Sequence, residues 1–494
     1  MAKEKRLKRP TTLGALMRSH FTEARTARRT VREEMRENLL RMLKGKEPLF
    51  PGIVGYNETV IPQIVNAILS KHHMILLGLR GQAKSRILRG LTAFLDDEVP
   101  SIEGCEIHDN PYTPICAACQ QKRATMGEDT PITFIPRENR YVEKLATPDV
   151  TVADLIGDID PIRAARASLD LSSALTIHFG LLPRANRGIF AINELPDLAA
   201  KVQVALFNIM QEGDVQIKGY PIRLPLDACL VFSANPEDYT ARGKIITPLK
   251  DRIGSEVRTH YPVTLEEGMA ITAQEAWLRR DEGRLQIPPF VFEVVERIAF
   301  LARESKYIDK RSGVSQRLPI TCMENVVSNA ERRAVLNREK RTVPRPADVY
   351  AALPGITGKL ELEYEGEMRG ADAIATGLVR EAIRETFASR LSLADCLPIV
   401  EWFGQGGEVR IADTMAAEEA LRILQKIPPL LQAAKQLKLD AQPETLVSGC
   451  EFILEGLHAM QKISRSEERG YFVERRATEP PATERETGQR RYLN

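Results

Sequence analysis

A short apolar strand, a glycine-containing loop and an apolar-faced helix follow one another without interruption between residues 74 and 95. The strand Met74–Leu77 runs into the loop Gly78-Leu79-Arg80-Gly81-Gln82-Ala83-Lys84-Ser85, and the apolar residues after it share one helical face. This order is the context that a phosphate-binding loop requires. In such a loop the lysine, Lys84, reaches the outer phosphates of a nucleotide, and the hydroxyl of Ser85 reaches Mg²⁺. The motif therefore predicts a nucleotide-binding core.

One position of this loop departs from the motif, since Ala83 stands where glycine normally precedes the lysine. If the backbone has a positive φ there, the alanine Cβ costs about 1 kcal/mol, and otherwise alanine is harmless. The alternative to a phosphate loop is a chance match within a helical stretch. The strand and the helix on either side argue against that alternative.

Strand-length apolar runs alternate with helical patterns as far as about Pro262, at residues 74–77, 132–135, 189–192 and 229–232. This alternation predicts an α/β fold with a parallel sheet and crossover helices. No apolar run approaches the roughly 20 residues that cross a bilayer. Seven cysteines among 494 residues exclude a disulfide scaffold. We therefore expect a cytoplasmic protein of several domains without a membrane span.

Basic residues dominate the first 46 positions, where 14 Lys and Arg face 5 Asp and Glu, although the whole chain has a net charge of only +2. Apolar residues recur there every three or four positions and predict a helix over residues 19–46. We interpret this segment as a solvated helical arm that docks on its own or a neighbouring subunit. An arm that binds nucleic acid is the alternative, and we do not expect nucleic acid as a partner.

A second apolar run, Gly188–Asn193, ends at Glu194. A nucleotide hydrolase needs a strand that ends in carboxylates, one for the Mg²⁺ shell and one to orient or deprotonate water. Glu194 is the candidate catalytic base, but Asn193 stands at the other acidic position. An amide oxygen can hydrogen-bond a Mg²⁺-bound water, although it lacks the charge that helps to retain the cation.

Residues 180–194 resemble the ATPase subunit of magnesium chelatase and, more broadly, MoxR-type AAA+ ATPases with an insert in their second helix. The resemblance covers roughly residues 48–355. It implies a hairpin over 213–225 with its turn at Lys218-Gly219. It also implies that Asn235 is the polar tip of the sensor 1 strand, Arg252 the arginine finger and Arg317 the sensor 2 arginine of the lid.

The resemblance also implies how such a protein works. Its cofactors would be ATP and Mg²⁺, and it would form a homo-oligomeric ring, a hexamer, because the arginine finger comes from the neighbouring subunit. The ring would remodel or activate a partner, as a chaperone does, and the family's partner carries a von Willebrand factor A domain. Two other functions remain open. One is the ATPase subunit of a metal chelatase that acts on a tetrapyrrole, and the other is a nucleotide-regulated scaffold with little hydrolysis.

Four candidate metal ligands lie close together in the sequence: Cys105, His108, Cys116 and Cys119. Each pair is separated by two residues, and four soft or borderline ligands suit tetrahedral Zn²⁺. Such a set leaves no open coordination position, so the predicted zinc site is structural. Unrelated thiols or a redox pair are the alternatives.

At about 150 residues per domain the chain has room for about three domains. We predict a basic helical N-terminal arm (1–47) and an AAA+ nucleotide-binding core (48–262) that contains a zinc-binding insertion (100–130). A helical lid (263–358), a C-terminal helical region (359–463) and a disordered tail (464–494) follow.

Overall fold

The computed structural model describes residues 9–168, 170, 173–217, 222–236, 244–280, 283–466 and 468–473. They form two compact units: the first is Met1–Ile271 with Asp309–Gln316, and the second is Thr272–Ile308 with Arg317–Asn494. Within the described ranges, every helix is too short or too polar to span a lipid bilayer.

A five-stranded parallel sheet forms the centre of the first unit. Its strands lie in the spatial order Ser255–Arg258, Met74–Leu77, Ala228–Ala234, Gly188–Asn193 and Tyr141–Leu145. All residues of the three central strands are buried. A parallel sheet that is buried on both faces requires crossover helices, and the predicted α/β class is confirmed.

Alternate side chains of the central strands enter two separate hydrophobic cores, one on each face of the sheet. Phe190 and Phe232 belong to one core. Ile189 and Val231 belong to the other, together with the helices Val31–Gly45 and Val60–Leu69. The sheet is therefore held rigidly from both sides, which fixes the ends of its strands.

The sheet differs from the sequence-based prediction in two respects. Residues 132–135 do form a strand, Ile132–Pro136, but it pairs antiparallel with Glu98–Ile102 outside the parallel sheet. The two edge strands, Tyr141–Leu145 and Ser255–Arg258, were not predicted. Both are only partly buried and carry charged residues, so they lack the continuous apolar run of a central strand.

The predicted helix over 19–46 is interrupted, and this part of the prediction was wrong. A short helix, Glu23–Thr26, is followed by a longer one, Val31–Gly45. Thr30 begins the second helix through a capping box, in which its side chain accepts from Glu33 N and its own N–H donates to the Glu33 carboxylate. Its exchange of hydrogen bonds with Glu33 fixes the start of the second helix.

Helix Val31–Gly45 is part of the core rather than a solvated arm. Its apolar side chains lie in one of the two sheet cores. Arg140 donates to both carboxylate oxygens of the buried Glu34, at 2.7 Å each. The basic composition of the N-terminus therefore coexists with a well-packed face.

The remaining elements of the first unit are short and surround the sheet. The helices are Leu13–Met17, Lys84–Gly90, Ala117–Met126, Val152–Leu155, Pro161–Ala167, Leu181–Arg184, Ala200–Ala205, Phe207–Gln211 and Thr247–Arg252. Two antiparallel strand pairs accompany them, Gly157–Ile159 with Ile177–Phe179 and Asp214–Gln216 with Arg223–Pro225. Helix Leu265–Glu275 runs across the division between the units.

The second unit is almost entirely helical. Its helices are Pro289–Glu304, Arg317–Asn337, Pro346–Ala351, Leu353–Thr357, Tyr364–Arg369, Ala371–Arg390, Leu393–Gly404, Ala417–Leu424, Pro428–Gln436 and Pro443–Ala459. Phe290 stacks on Phe452 with ring centroids 4.3 Å apart. The unit therefore has a core of its own.

The segment predicted as a disordered tail begins with ordered structure. Ser464–Ser466 pairs antiparallel with Gly470–Phe472, and Tyr471 is buried and bonds to Val409. Residues 474–494 lie outside the described residues. The prediction placed the boundary too early because this segment is rich in Arg and Glu.

Candidate nucleotide site and cysteine group

The predicted nucleotide-site residues come from three neighbouring strands of the sheet. The loop 78–85 follows Met74–Leu77, Glu194 follows Gly188–Asn193, and Asn235 follows Ala228–Ala234. Because the carboxyl ends of parallel strands lie at one edge of a sheet, these side chains meet there.

Lys84 is the centre of this group. Its ammonium is buried and donates to the carbonyl oxygens of Gly78 and Leu79, the latter at 3.1 Å, and to Asn235 Oδ1 at 2.7 Å. The amide of Asn235 donates in turn to Glu194 Oε2 at 2.9 Å. We call Lys84, Asn235 and Glu194 the nucleotide-site triad. Asn235 joins the ammonium of Lys84 to the carboxylate of Glu194 through its two amide atoms.

The backbone of the loop explains two of its residues. At Gly81 φ is +75°, and a Cβ there would lie 2.1 Å from Ser315 Oγ and 2.9 Å from Gln316 N. Only glycine fits that position. Ala83 also lies in the left-handed region, with φ 57°, so the strained case of the sequence prediction is the one observed. Ser85 follows Lys84 and is half-buried.

Asn193 is paired with a carboxylate from the neighbouring strand. Its amide donates to Glu143 Oε1, and its Oδ1 accepts from Ser233 Oγ at 3.1 Å. Arg89 donates to both Glu143 oxygens, at 2.8 and 3.2 Å. Sequence reasoning missed Glu143, because it lies on the edge strand Tyr141–Leu145 that the apolar pattern did not reveal. The carboxylate of Glu143 therefore lies beside Asn193, where the motif normally has an acidic residue.

The other two predicted cations lie elsewhere. Arg252 ends helix Thr247–Arg252 and donates to Gln211 Oε1 at 2.9 and 3.2 Å, while its guanidinium lies 5.0 Å from the centroid of the Phe207 ring. Arg317 begins helix Arg317–Asn337 of the second unit. The predicted hairpin is present as the pair Asp214–Gln216 and Arg223–Pro225, and its turn, Lys218-Gly219, lies outside the described residues.

Three of the four predicted metal ligands meet in a second group on the same unit. The Sγ atoms of Cys105, Cys116 and Cys119 and a carboxylate oxygen of Asp109 all lie within 4.8 Å of one another. The structure does not place His108 in this group. His108 occupies a left-handed turn with φ 54°, and the next residue, Asp109, takes the fourth place. We call Cys105, Asp109, Cys116 and Cys119 the cysteine group.

The titration behaviour of the cysteine group follows from its crowding. Hydrogen bonds from the thiols of Cys116 and Cys119 lower the pKa of Cys105 to about 3. Donating those bonds raises the pKa of Cys116 and of Cys119. Burial, followed by the charge of Cys105, raises the pKa of Asp109 to about 6. Without a cation, the thiolate of Cys105 is thus favoured, and ionisation of Cys116, Cys119 and Asp109 is opposed.

Comparison with known proteins places these groups in context. The magnesium-chelatase 38 kDa subunit of Chlorobaculum tepidum is 27% identical over 342 residues, which cover 65% of this chain and 78% of the relative. That of Cereibacter sphaeroides is 30% identical over 48% of this chain and 64% of the relative. The magnesium-chelatase subunit ChlI of Chlorella vulgaris is 25% identical over 63% and 89%. No family model matches the chain.

The chain is homologous to magnesium-chelatase subunits. The predicted resemblance is thereby confirmed. Among solved structures, a complex of BchI and BchD of magnesium chelatase aligns at 22% identity over 65% of this chain and 98% of that one. Its TM-score of 0.36 is too low to carry an argument about assembly.

Proposed function

We propose that this chain binds Mg-ATP at the loop 78–85 and hydrolyses it. The observation that carries the proposal is the nucleotide-site triad, in which Asn235 bonds to Lys84 and to Glu194 at once. A phosphate-binding cation and a carboxylate at one edge of the sheet are what hydrolysis of a bound nucleotide requires. The homology to magnesium-chelatase subunits supports the same reaction.

Each residue of the site has a role in this proposal. Bound Mg-ATP supplies the phosphoanhydride bond and the cation. Lys84 binds the outer phosphates, Ser85 offers its hydroxyl to Mg²⁺, and Asn193 hydrogen-bonds the water shell of the cation. Glu194 accepts a proton from the attacking water, which Asn235 orients. The residues fit Mg-ATP because the buried Lys84 ammonium lies among the main-chain oxygens of the loop, beside Asn235, which also bonds to Glu194.

We also propose that the active protein is a homo-oligomeric ring, a hexamer. Arg252 would act as the arginine finger of the neighbouring subunit and Arg317 as a cation of the helical lid. Gln211 and Phe207 support Arg252 from two directions, which suits a side chain that must be presented in one orientation. A finger supplied in trans makes turnover depend on assembly.

The partner that we propose is a protein with a von Willebrand factor A domain, which the ring remodels or activates. A second candidate is the ATPase subunit of a magnesium chelatase, and the homology favours it. The two candidates differ in the client and share the ATPase reaction.

The proposed cofactors are ATP, Mg²⁺ and one structural Zn²⁺. Three cysteine thiols within 4.8 Å of one another support zinc, since thiolates are its preferred ligands in structural sites. All seven cysteines are free thiols, which supports work in the reducing cytoplasm.

The ATPase proposal is tested by turnover of the purified protein with and without Mg²⁺. Glu194→Gln should lower kcat by about 10²–10⁴-fold while ATP binding persists, since only the proton acceptor is lost. Glu212→Gln, an exposed carboxylate away from the triad, is the matched control and should turn over normally. Equal and negligible rates in wild type and Glu194→Gln would instead identify a nucleotide-regulated scaffold.

The partner is tested with the Glu194→Gln protein held in Mg-ATP. It should retain a purified von Willebrand factor A domain protein and release it when ATP is replaced by ADP. If it instead retains the porphyrin-binding subunit of a magnesium chelatase, and wild type drives Mg²⁺ into a porphyrin, the second candidate is correct.

A further inference from the structure

The fourth member of the cysteine group has an oxygen that nothing in the described part of the protein satisfies. Asp109 is completely buried. Its Oδ2 accepts from the main-chain N–H groups of Ile115 and Cys116, at 3.1 and 2.9 Å. Its Oδ1 is buried without a hydrogen-bond partner. A buried carboxylate oxygen is expected to be paired with a donor or a cation.

We infer that Asp109, and not His108, is the fourth ligand of a Cys₃Asp metal centre, and that the metal holds the surface on which the N-terminal segment docks. This inference rests on the zinc site of the proposed function. The ion is a thiophilic divalent cation, of which Zn²⁺ fits three sulfur ligands and one oxygen in a tetrahedron.

Main-chain hydrogen bonds support the sulfur ligands as they do in metal centres. The N–H of Asp109 donates to Cys105 Sγ at 3.3 Å, and the N–H of Cys119 donates to Cys116 Sγ at 3.4 Å. Such outer-shell bonds stabilise thiolates and orient them towards the ion. Asp109 thus contributes twice, through its own oxygen and through its support of Cys105.

Three of the four side chains in the group are buried, and Cys105 is half-buried. The group packs in the large core of the first unit, next to the fully buried Ile102 and Ile107. Three sulfur atoms and a carboxylate oxygen within 4.8 Å of one another have the donor set and the proximity of a metal centre. A divalent ion bound by all four side chains satisfies Asp109 Oδ1 and removes the mutual repulsion at once.

The stretch between the ligands Asp109 and Cys116 contacts the N-terminal segment, residues 11–27. The amide of Asn110 donates to Thr26 O at 2.5 Å, and the hydroxyl of Tyr112 donates to Phe21 O at 2.7 Å. Tyr112 also belongs to a small hydrophobic core whose other members are Leu13, Leu16 and Ile132, with Phe21, Ala27 and Phe134 against it.

This arrangement makes docking of the N-terminal segment depend on the metal. Asn110 and Tyr112 lie between the ligands Asp109 and Cys116, and they bond to Thr26 and Phe21 of the segment. The first residues of the segment bond instead to Thr130 and Ile132. Loss of the ion frees the stretch 109–116 and with it the attachment points of residues 21–26. The strand Ala228–Ala234 contributes no ligand, so its protection should change far less.

The test uses the full-length protein, its zinc content and its zinc affinity in competition with a chromophoric chelator. Wild type should hold one zinc per chain. Asp109→Ala and Cys116→Ser should weaken zinc binding by at least about 100-fold, the upper end of what loss of a supporting group costs, whereas His108→Ala should bind as wild type does. ATP binding of each variant checks that the first unit is folded.

A second measurement reads the ligand set in wild type itself. The ring-nitrogen NMR signals of His108, assigned by their loss in His108→Ala, should not show the large shift of a metal-coordinated nitrogen when zinc is added to the metal-free protein. Hydrogen exchange should become faster over residues 11–27 on removal of zinc, and much less so over Ala228–Ala234.

Different outcomes would contradict the zinc site, the assignment of Asp109 as a ligand, or the dependence of docking on the metal. A wild type that neither contains nor takes up zinc overturns the zinc site and leaves the ATPase proposal untouched. Zinc lost in His108→Ala but kept in Asp109→Ala, or a His108 ring-nitrogen signal with the large shift of a metal-coordinated nitrogen, overturns the assignment of Asp109 alone. Unchanged exchange over residues 11–27 overturns the dependence of docking on the metal.

Discussion

The nucleotide-site triad and the cysteine group lie in the same unit and satisfy their polar atoms differently. In the triad, Lys84 bonds to two carbonyl oxygens and Asn235, and Asn235 bonds to Glu194, so these groups are satisfied by the protein alone. In the cysteine group, Asp109 Oδ1 is buried without a partner. The first arrangement can gain and lose a ligand without leaving buried charges unpaired. The second needs its ligand in order to be stable.

This difference matches what the two sites must do. A hydrolytic site empties in every cycle, and a self-satisfied network keeps the cost of the empty state low. A structural metal stays bound, and its binding free energy is part of the folding free energy. The comparison therefore separates an exchangeable ligand from a permanent one.

Withdrawal of zinc should have the largest effect on stability. A chelator that is selective for zinc over magnesium should leave the anions of the cysteine group uncompensated, which costs about 3–5 kcal/mol. At about 2–4 °C per kcal/mol, the unfolding midpoint of the first unit should fall by about 10 °C. Calorimetry of the full-length protein measures this shift, and added zinc should reverse it.

The matching experiment at the triad removes ATP and Mg²⁺ instead. The free energy of unfolding should fall only by the stabilisation that the bound ligand had added. That stabilisation is about 2.7 kcal/mol at a ligand concentration 100 times Kd. If withdrawal of zinc lowers the unfolding midpoint by no more than withdrawal of nucleotide does, the contrast between the two sites is wrong.

Asn235→Ala should have the next largest effect, and on turnover rather than on binding. Asn235 joins Lys84 to Glu194, and its loss should lower kcat by about 10²-fold, as removal of one oriented polar group does in other enzymes. ATP affinity should change by only a few fold. Steady-state turnover and nucleotide titration measure the two separately. Asn66→Ala, an exposed asparagine on helix Val60–Leu69, is the control.

Asn193→Asp should fail to improve the enzyme, although it restores the acid of the motif. Asn193 donates to Glu143, so an aspartate there would place two carboxylates in contact. The double variant Asn193→Asp/Glu143→Gln exchanges the roles of the two side chains. It should exceed the single variant by about tenfold in turnover, equivalent to about 1.4 kcal/mol.

The Mg²⁺ concentration for half-maximal turnover should be higher for the single variant Asn193→Asp than for the double variant Asn193→Asp/Glu143→Gln. A single Asn193→Asp protein that is faster than wild type, with no further gain in the double variant, would show that Glu143 does not act with Asn193.

Whether the sequence predicted a site residue depended on how far apart in the chain the residues in contact are. The loop 78–85, Glu194 and Asn235 were predicted because each follows a buried apolar strand, and adjacent parallel strands bring them together. Glu143 and Asp109 were not. Glu143 lies on a partly charged edge strand, and its meeting with Asn193 is decided by strand order.

The cysteine group illustrates the same limit at shorter range. The spacing of Cys105 and His108 favoured histidine as a ligand, because two intervening residues are typical of zinc sites. The backbone turns at His108 with φ 54°, and Asp109 enters the group instead. A spacing rule gives the number of residues between ligands, whereas the conformation of those residues decides which side chain arrives.

Ala83→Gly should have the smallest effect, and it tests whether the loop of the exchangeable site stores strain. Ala83 has φ 57°, where a Cβ costs about 1–2 kcal/mol. Glycine removes that cost but also raises the entropy of the unfolded chain, by about 0.4–1 kcal/mol. The net result should be a gain of about 0.5–1 kcal/mol in the free energy of unfolding, seen as a higher denaturant midpoint with an unchanged slope.

The control for Ala83→Gly is Ala67→Gly in helix Val60–Leu69, where the backbone is helical and glycine loses the packing of the buried Cβ in addition to its entropic cost. That variant should lose about 0.5–1 kcal/mol or more. Opposite signs at the two alanines would show that the nucleotide loop holds Ala83 against its preference. Equal losses would mean that residue 83 leaves the left-handed region in solution. The strain would then be absent from the site, and the two sites would differ only in how their polar atoms are paired.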